Sequence, residues 1–450
     1  MEDTYLDYLT VLKNLIQFPT VNDPAKEICP TRECPEYLEA ILAQMGYKTK
    51  IVEQMGFFSV LATHGTGRPV TLVLAHFDVV PVSEGWDSDP FELMIKGEMG
   101  YGRGTADDKG NTTALLLSAE EIMQHEIDGT VAFAMTGDEE IGGMNGAPVV
   151  RAILEKRNLF PDYLVTADGV GMQIVTRRRN TVSVTVSVPQ TPSPYEGGLA
   201  THRFTTEYLG RQSRHSAYFL PGVDRHALLA ASSFLLHNPE IQVKSAAGSY
   251  VKSNVVPDWF EITSINPAVK VNKQLHTCDN NLTQLLQVLL PISRIQFPTF
   301  LSDYGITFCP NLLYEHDNRW VIYFDGRAMT MDAESVQKAL DTVLIEKLAG
   351  IEYQRSVKLG KAYMNTPTKS HLVTTAQQVA KTHSQKIEPI ELGGASDTRH
   401  FTDREIQAID FGPIGYGIHG SNEHVLLESI LQTAKFYTDL IRTLHSSSKF

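Results

Sequence analysis

Cysteine is scarce in this chain. Its 450 residues include four, Cys29, Cys34, Cys278 and Cys309, too few for a disulfide framework, so free thiols in a reducing compartment are expected. Cys29 and Cys34 lie close in sequence, but no second pair accompanies them to complete a structural zinc site. Long apolar runs are missing too. No stretch approaches the ~18 residues that a membrane helix needs. The opening MEDTYLDYLTVLKNLIQF is acidic and amphipathic and lacks the apolar centre of a secretory leader. Positive charge is in deficit, with 39 Lys and Arg against 52 Asp and Glu and a formal net charge of −13. A nucleic-acid partner demands a basic face, so none is expected. The one basic cluster, Arg177-Arg178-Arg179, reads as a solvated strand start. Internal repeats and low-complexity tracts are absent. Together these absences predict a cytoplasmic protein that touches neither membrane nor nucleic acid.

What remains is an ordinary globular composition, 42 % apolar and 20 % charged, with length for roughly two or three domains. The chain is organised around 70–110. Residues 70–75 form a nearly continuous apolar run, the pattern of a strand buried on both faces of a parallel sheet. It ends in His76-Phe77-Asp78. Open α/β sheets bind ligands at the carboxyl ends of their strands, so a His and an Asp released there stand where chemistry is done. Further on, GRGTADDKG (102–110) joins a glycine loop to two acids, and helical periodicity begins over 111–125. Buried-strand runs recur at 130–136, ending in GDEEIGG, and at 163–167, ending in Asp168-Gly169, with a helix over 147–156 between them. Helices are also expected over 4–17, where Tyr5, Tyr8, Leu9, Leu12 and Ile16 share a face, and around 37–45. Strands are expected at 48–53 and 58–63. Strands alternating with helices argue for an α/β, doubly wound, mostly parallel sheet.

From about Arg179 the texture changes. Residues 180–188 alternate polar and apolar side chains, the mark of a half-exposed strand, and the Pro/Gly/Ser-rich 189–200 reads as a surface loop. Strands at 203–209, over 249–265, at 320–324 and at 352–359, with helices over 224–237 and 333–348, suggest a small split βαβ layer inserted into the first domain. The segment 266–319 looks like an extra elaboration with one helix, LTQLLQVLL. After about Met364 the α/β texture returns: a helix over 370–383, the glycine-rich GGASDTRHF, a strand at 407–411, the run GPIGYGIHGSNEH and a final helix over 425–444. The expected division is 1–178 with 364–450 as one domain and 179–363 as the insert.

The strand-end groups His76, Asp78, Asp107, Asp108, Glu139, Glu140, Asp168 and His419 offer oxygen and imidazole donors without a thiolate. That mixture suits zinc, or manganese and cobalt, in a hydrolytic site. A carboxylate can bridge two metals ~3.5–4 Å apart, which activate one water between them. Adjacent Glu139 and Glu140 allow one to bind metal while the other accepts the proton of that water. Each feature also has a blander reading. A lone His after a strand is most often a satisfied structural residue, Asp107-Asp108 can cap a helix, and Glu139-Glu140 can be a solvated loop. Their joint occurrence at buried strand ends points to a site.

HFDVVP (76–81), WDSDPF (86–91), YGRGTADDKG (101–110), GDEEIGG (137–143), TADG (166–169) and IHGSNEHV (418–425) resemble the di-zinc metallopeptidases of clan MH, in the same order and over nearly the whole chain. That family groups aminoacylases, dipeptidases, glutamate carboxypeptidases, acetylornithine deacetylases and succinyl-diaminopimelate desuccinylases. The resemblance implies a catalytic di-metal domain and an inserted α+β, ferredoxin-like lid that also dimerises. It implies His76 and Asp168 on one metal, Glu140 and His419 on the other, and Asp107 bridging both. Glu139 is then the general base, and Asp78 orients His76 through its second ring nitrogen. The bond after the bridging Asp is often cis in the family, so a cis Asp107–Asp108 bond is expected, with Asp108 no ligand.

Within the insert, RHSAYFLPGVDRHALLAA places His215 where the family has a His that reaches the partner subunit's site and steadies the oxyanion. KSNVVP places Asn254 at a matching polar position. YFDGRAMTMDAESVQKAL places Arg327 where an Arg can clamp a substrate carboxylate, and GGASDTRHF places Gly394 in the substrate-side loop. Two departures stand out. The Asn254 and Arg327 motifs usually lie close together but are far apart here. Asp168 looks like the aminopeptidases and dipeptidases, whereas the glycine loop and IHGSNEH lean toward the desuccinylases. The resulting reading is a co-catalytic, metal-dependent amide hydrolase of small peptides, dipeptidase-like, with N-acyl-amino-acid deacylation as the alternative. It implies two divalent ions, zinc before cobalt or manganese, and a homodimer formed through the lid.

Overall fold

The Val70–His76 and Gly129–Thr136 strands are buried along their whole length, as apolar runs without a polar face must be. In the computed structural model, which describes residues 6–209, 214–269, 274–383 and 385–446, they pair in parallel. Tyr163–Thr166 lies parallel to Val70–His76, and Gln407–Asp410 parallel to Tyr163–Thr166. The flanks are antiparallel: Phe57–Thr66 and Lys48–Gln54 on one side, Val175–Arg178 and Met364–Asn365 on the other. Parallel neighbours need crossover connections, and the Lys109–Ile122 and Ala147–Lys156 helices supply them. One core runs from Leu12, Leu38 and Val73 through Leu115 and Phe133 to Phe436.

The first helix spans Tyr8–Gln17 and is N-capped by Asp7; residues 4 and 5 of the expected element, Tyr5 included, lie outside the described residues. The final helix begins at Leu427, later than expected, because His424–Leu426 is a strand. It pairs with Met99–Tyr101 and Gly415–Tyr416 in a small antiparallel sheet completed by Met94–Lys96. That sheet brings the loops 102–108 and 417–423 side by side. Among the described residues no helix is long and apolar enough to cross a membrane, and the four cysteines are free.

The chain divides into two compact units, Met1–Arg178 with Met364–Glu391 and Ser396–Phe450, and Arg179–Tyr363 with Leu392–Ala395. The second unit holds two antiparallel four-stranded sheets. One runs in the order Thr307–His316, Arg319–Ala328, Asn180–Pro189, Gln354–Leu359. With the Ala333–Lys347 helix before its last strand, this is a ferredoxin-like βαββαβ arrangement. The first helix position is filled by Ala227–His237 and Asn280–Gln287, whose Leu228, Leu235, Leu282 and Leu286 share a core with Val184, Phe324 and Leu340.

The strands differ from those expected. The pair placed over 249–265 is Gln242–Gly248 with Trp259–Asn266, and it belongs to the second sheet with Pro192–Thr205 and Gln274–Asp279. The hairpin of the ferredoxin-like sheet is Thr307–His316 with Arg319–Ala328, drawn from the stretch 266–319; residues 270–273 of that stretch lie outside the described residues. The surface loop expected at 189–200 is mostly the Pro192–Thr205 strand, whose end also takes the place of the one expected at 203–209. Its prolines are tolerated because 192–197 pair on one side only, with Gln274–Asp279, before the strand takes up Trp259–Asn266 from Gly198 onward.

His226 caps the Ala227–His237 helix, its Nδ1 accepting from Leu228 N at 3.2 Å. Only 2 % exposed and edge-on to Phe219, it is held neutral: burial pushes its pKa down to about 3, against a smaller pull from Asn311. The unfolded imidazole titrates near ~6.5, so between those values the unfolded chain binds the extra proton and stability falls as pH falls. We predict that His226→Asn, which keeps a capping acceptor, removes up to roughly 1.4 kcal/mol of that decline per pH unit. Urea denaturation of both proteins from pH 7 to pH 4 checks it.

Candidate active site

All of the strand-end groups fall in the first unit: His76, Asp78, Glu139, Glu140 and Asp168 end or follow parallel strands, while Asp107, Asp108 and His419 come from loops beside the small antiparallel sheet. Val70–His76 ends in His76 and turns immediately, placing Asp78 in full burial. Asp78 is a hub. Its Oδ1 lies 3.4 Å from His76 Nδ1 and accepts from Glu139 N at 3.1 Å, while Oδ2 accepts from Glu140 N at 3.1 Å. Asp78 therefore orients both glutamates of the neighbouring strand end through its carboxylate, and the imidazole through its carbonyl as well, which lies 3.1 Å from His76 Nδ1. Asn22 completes the arrangement, donating through Nδ2 to Asp78 Oδ2 at 2.7 Å and to Gly137 O at 3.0 Å.

Two groups of donor atoms form, each with members all within 4.8 Å of one another: His76 with Asp107 and Asp108, and Asp107 with Glu140 and His419. Asp107 belongs to both. Its Oδ1 is 3.0 Å from His76 Nε2 and its Oδ2 is 3.2 Å from His419 Nε2. His419 Nε2 also lies 3.1 Å from Glu140 Oε1. The Asp107–Asp108 peptide bond is cis. Neither group includes Asp168, whereas Asp108 falls in the first, its Oδ2 also accepting from His76 N at 3.0 Å.

Asp168 is held from behind. Arg178 donates through Nη2 to Asp168 O at 2.7 Å and pairs through Nε with Asp410. Glu139 faces Arg399, whose Nη2 lies 3.0 Å from its Oε1, and Asp397 shares that guanidinium at 3.6 Å. Asn22, Arg399 and Asp410 were not singled out from the sequence, and Arg178, read there as part of a solvated strand start, is buried with Arg179 instead. Arg399 lies within the quoted GGASDTRHF, but spacing alone does not aim it at Glu139.

The electrostatics show whether cations fit. Burial pushes the Asp168 carboxyl well up, with Asp107 and Glu139 adding to it against the pull of Arg178. Burial likewise raises Asp108, Asp397 and Glu139. Burial would raise Asp107 too, but His419 and His76 override it and hold it below the usual range. Both imidazoles are disfavoured as cations by burial, yet the acids beside them, Asp108 for His76 and Glu140 for His419, lift them well above their ordinary value. The pocket thus gathers more buried carboxyl groups than two guanidiniums and two imidazoles can balance, which is why burial pushes several of them up. A surplus of this kind, on oxygen and imidazole donors with no sulfur, fits divalent cations.

The remaining expected residues lie in the second unit. His215 precedes the turn Ser216–Tyr218, its Nδ1 accepting from Ala217 N at 3.0 Å and its Nε2 lying 3.2 Å from Asn254 Nδ2. Ser216 N donates to Asn254 O at 3.0 Å, and Ser216 Oγ bonds Asp325. Asp325 holds Arg327 through Nε at 3.1 Å and Nη2 at 2.9 Å. The Asn254 and Arg327 motifs, distant in sequence, therefore meet at Ser216. Gly394 belongs to the Leu392–Ala395 segment of the same unit. Its neighbour Gly393 passes so near the chain that a Cβ there would stand 2.0 Å from Ala217 O.

A parallel sheet delivering imidazoles and carboxylates to one edge, with one carboxylate common to two donor groups, defines a metal-dependent hydrolase. The chain belongs to peptidase family M20/M25/M40, whose sequence model matches residues 72–443. Among characterised relatives, a succinyl-diaminopimelate desuccinylase of Stenotrophomonas maltophilia is 25 % identical over 420 residues, covering 91 % of this chain and 93 % of that one. The fold is shared with an aminoacylhistidine dipeptidase from Vibrio alginolyticus at a TM-score of 0.68 and 15 % identity, covering 99 % and 98 % of the two chains. Human carnosine dipeptidase 1 gives 0.58 at 16 % identity, covering 98 % and 97 %.

Removing the Asn22 amide should leave the buried Asp78 carboxylate short of a charge-assisted hydrogen bond. We predict that Asn22→Ala costs about 1.5–3 kcal/mol of stability, measured by urea denaturation.

Proposed function

We propose that this enzyme cleaves the amide bond of small peptides, as a dipeptidase-like member of its family, using two divalent ions. Zinc is the first choice, with cobalt or manganese able to take its place. The observation that carries this reading is Asp107, whose two oxygens face different imidazoles, His76 and His419. In this assignment Asp107 bridges, His76 and Asp168 hold one ion, and Glu140 and His419 hold the other. Arg178, which donates to the Asp168 carbonyl and faces its carboxylate, would hold that residue in place for this role. Ions bound there supply Lewis acidity toward the scissile carbonyl and lower the pKa of a water.

Glu139 would take a proton from the attacking water and pass it to the departing amine nitrogen. Arg399 fixes the carboxylate for both transfers, and Asp78 keeps the His76 ring in register. The second unit acts as lid and dimerisation domain. His215, reaching a second copy of the chain, steadies the oxyanion, while Asn254, Arg327 and Gly394 hold the carboxylate end of the substrate. We place the enzyme in the cytoplasm, in keeping with its free cysteines.

A second reading, N-acyl-amino-acid deacylation, is favoured by the nearly full-length likeness to a desuccinylase. Hydrolysis of a dipeptide panel beside acetyl- and succinyl-amino acids separates the two. Higher kcat/KM on dipeptides is expected, and a clear preference for acyl substrates would reverse the order. Chelation should abolish either activity, and restored zinc, cobalt or manganese should return it. Glu139→Gln should keep the fold and the bound metal, by elemental analysis, and lose about two to four orders of magnitude in kcat.

A further inference from the structure

Glu423 is fully buried and has no solvent to share its charge. Both of its oxygens are taken. Oε1 accepts from Ala106 N at 2.9 Å and Asp107 N at 3.0 Å; Oε2 accepts from Gly104 N at 3.1 Å and Arg103 Nη1 at 2.6 Å. Three of these donors are consecutive-loop amides that end at Asp107 itself. The fourth, Arg103, is 1 % exposed and stacks on Trp86 at 5.3 Å. Its Nη2 continues to the carbonyls of His419 at 3.4 Å and Gly420 at 3.0 Å.

His419 has φ +62°, a left-handed conformation that a β-carbon disfavours, so the surrounding contacts must hold it there. The Arg103 fork grips the carbonyl side of that turn. One buried ion pair therefore ties the loop presenting Asp107 to the loop presenting His419, two stretches that meet from opposite ends of the sequence.

We propose that Glu423 is the positioning residue that sets Asp107 against His419, and so governs cation affinity chiefly at the Asp107–Glu140–His419 group, two of whose loops its ion pair holds, and much less at the His76 group, which shares only Asp107 with it. The proposal rests on the metal assignment made above. The chemistry of the substitution makes it testable. An amide at position 423 must turn its NH2 toward at least two N–H donors, whichever way it flips, whereas a carboxylate accepts from all four.

The experiment is titration of the metal-free full-length protein with Co2+, followed by visible absorption, and with Zn2+, followed by calorimetry. Wild type should take up two ions; uptake of one or none would sink the metal assignment and this proposal together. Given two, Glu423→Gln should weaken one step by about tenfold or more, the loss expected for charge-assisted hydrogen bonds. That step should be the one that His419→Ala abolishes, and the other should stay within about threefold. Equal weakening of both steps, or no change in either, overturns the proposal and leaves the metal assignment standing. Should Glu423→Gln fail to fold by circular dichroism, Arg103→Lys answers the same question. It keeps a positive charge opposite Glu423 but loses the fork to the His419 and Gly420 carbonyls, and the same selective weakening is required of it.

Discussion

Carboxylates crowded into a dry pocket repel one another unless nearby charge offsets them, and the first unit is arranged around that constraint. Asp107, Asp108, Glu139 and Asp168 feel one another across the ends of separate strands. Imidazoles stand on either side of Asp107, and guanidiniums back Asp168 and Glu139. Three of these four groups are anchored in turn: His76 by Asp78, Arg178 by Asp410, Arg399 by Asp397. The cluster is thus held in place by a second layer whose members come from the end of the Val70–His76 strand, the Gln407–Asp410 strand and the Asp397–His400 turn. Such a layer fixes the directions in which the carboxylates and imidazoles point.

The second unit solves a different problem. A ferredoxin-like sheet needs only one helix between its first strand and its hairpin, yet here a whole further sheet fills that connection. The enlargement leaves the original ladder intact. Asn180–Pro189 still pairs with Arg319–Ala328 on one side and Gln354–Leu359 on the other. Ser216 is the junction that keeps the polar residues together, because its amide and hydroxyl reach Asn254 and Asp325 at once. Sequence distance between motifs is therefore a poor guide to their separation in this unit.

The first unit was legible where physical pattern and chemistry coincide. Val70–His76 and Gly129–Thr136 are apolar throughout, so their burial and parallel pairing follow from composition, and the polar residues that end them stand out. The contacts that aim those residues were not legible. Asn22 follows a helix-breaking FPTV, and nothing local says that it will reach Asp78. Arg399 and Glu139 meet only because the 3-10 turn Asp397–His400 returns beside the Glu139–Ile141 turn. In the second unit the prolines of 192–194 masked a strand, since proline is ordinarily a strand breaker and its tolerance depends on an unpaired side that only the sheet order reveals. The Thr307–His316 strand was hidden for a related reason: its pairing partner sits beyond a tight turn at Asp317-Asn318, both with positive φ, which the reading of 266–319 as an extra elaboration passed over.

The chain leaves the first unit after Arg178, builds the second, and returns only at Met364. For a ribosome this is an order of delivery. A growing polypeptide presents His76, Asp107, Glu139, Glu140 and Asp168 early, but neither Arg399 nor His419, and it lacks the Gln407–Asp410 strand that extends the parallel sheet. If Arg399 and His419 act as proposed, hydrolytic competence arrives only once the last segment of the chain has been made.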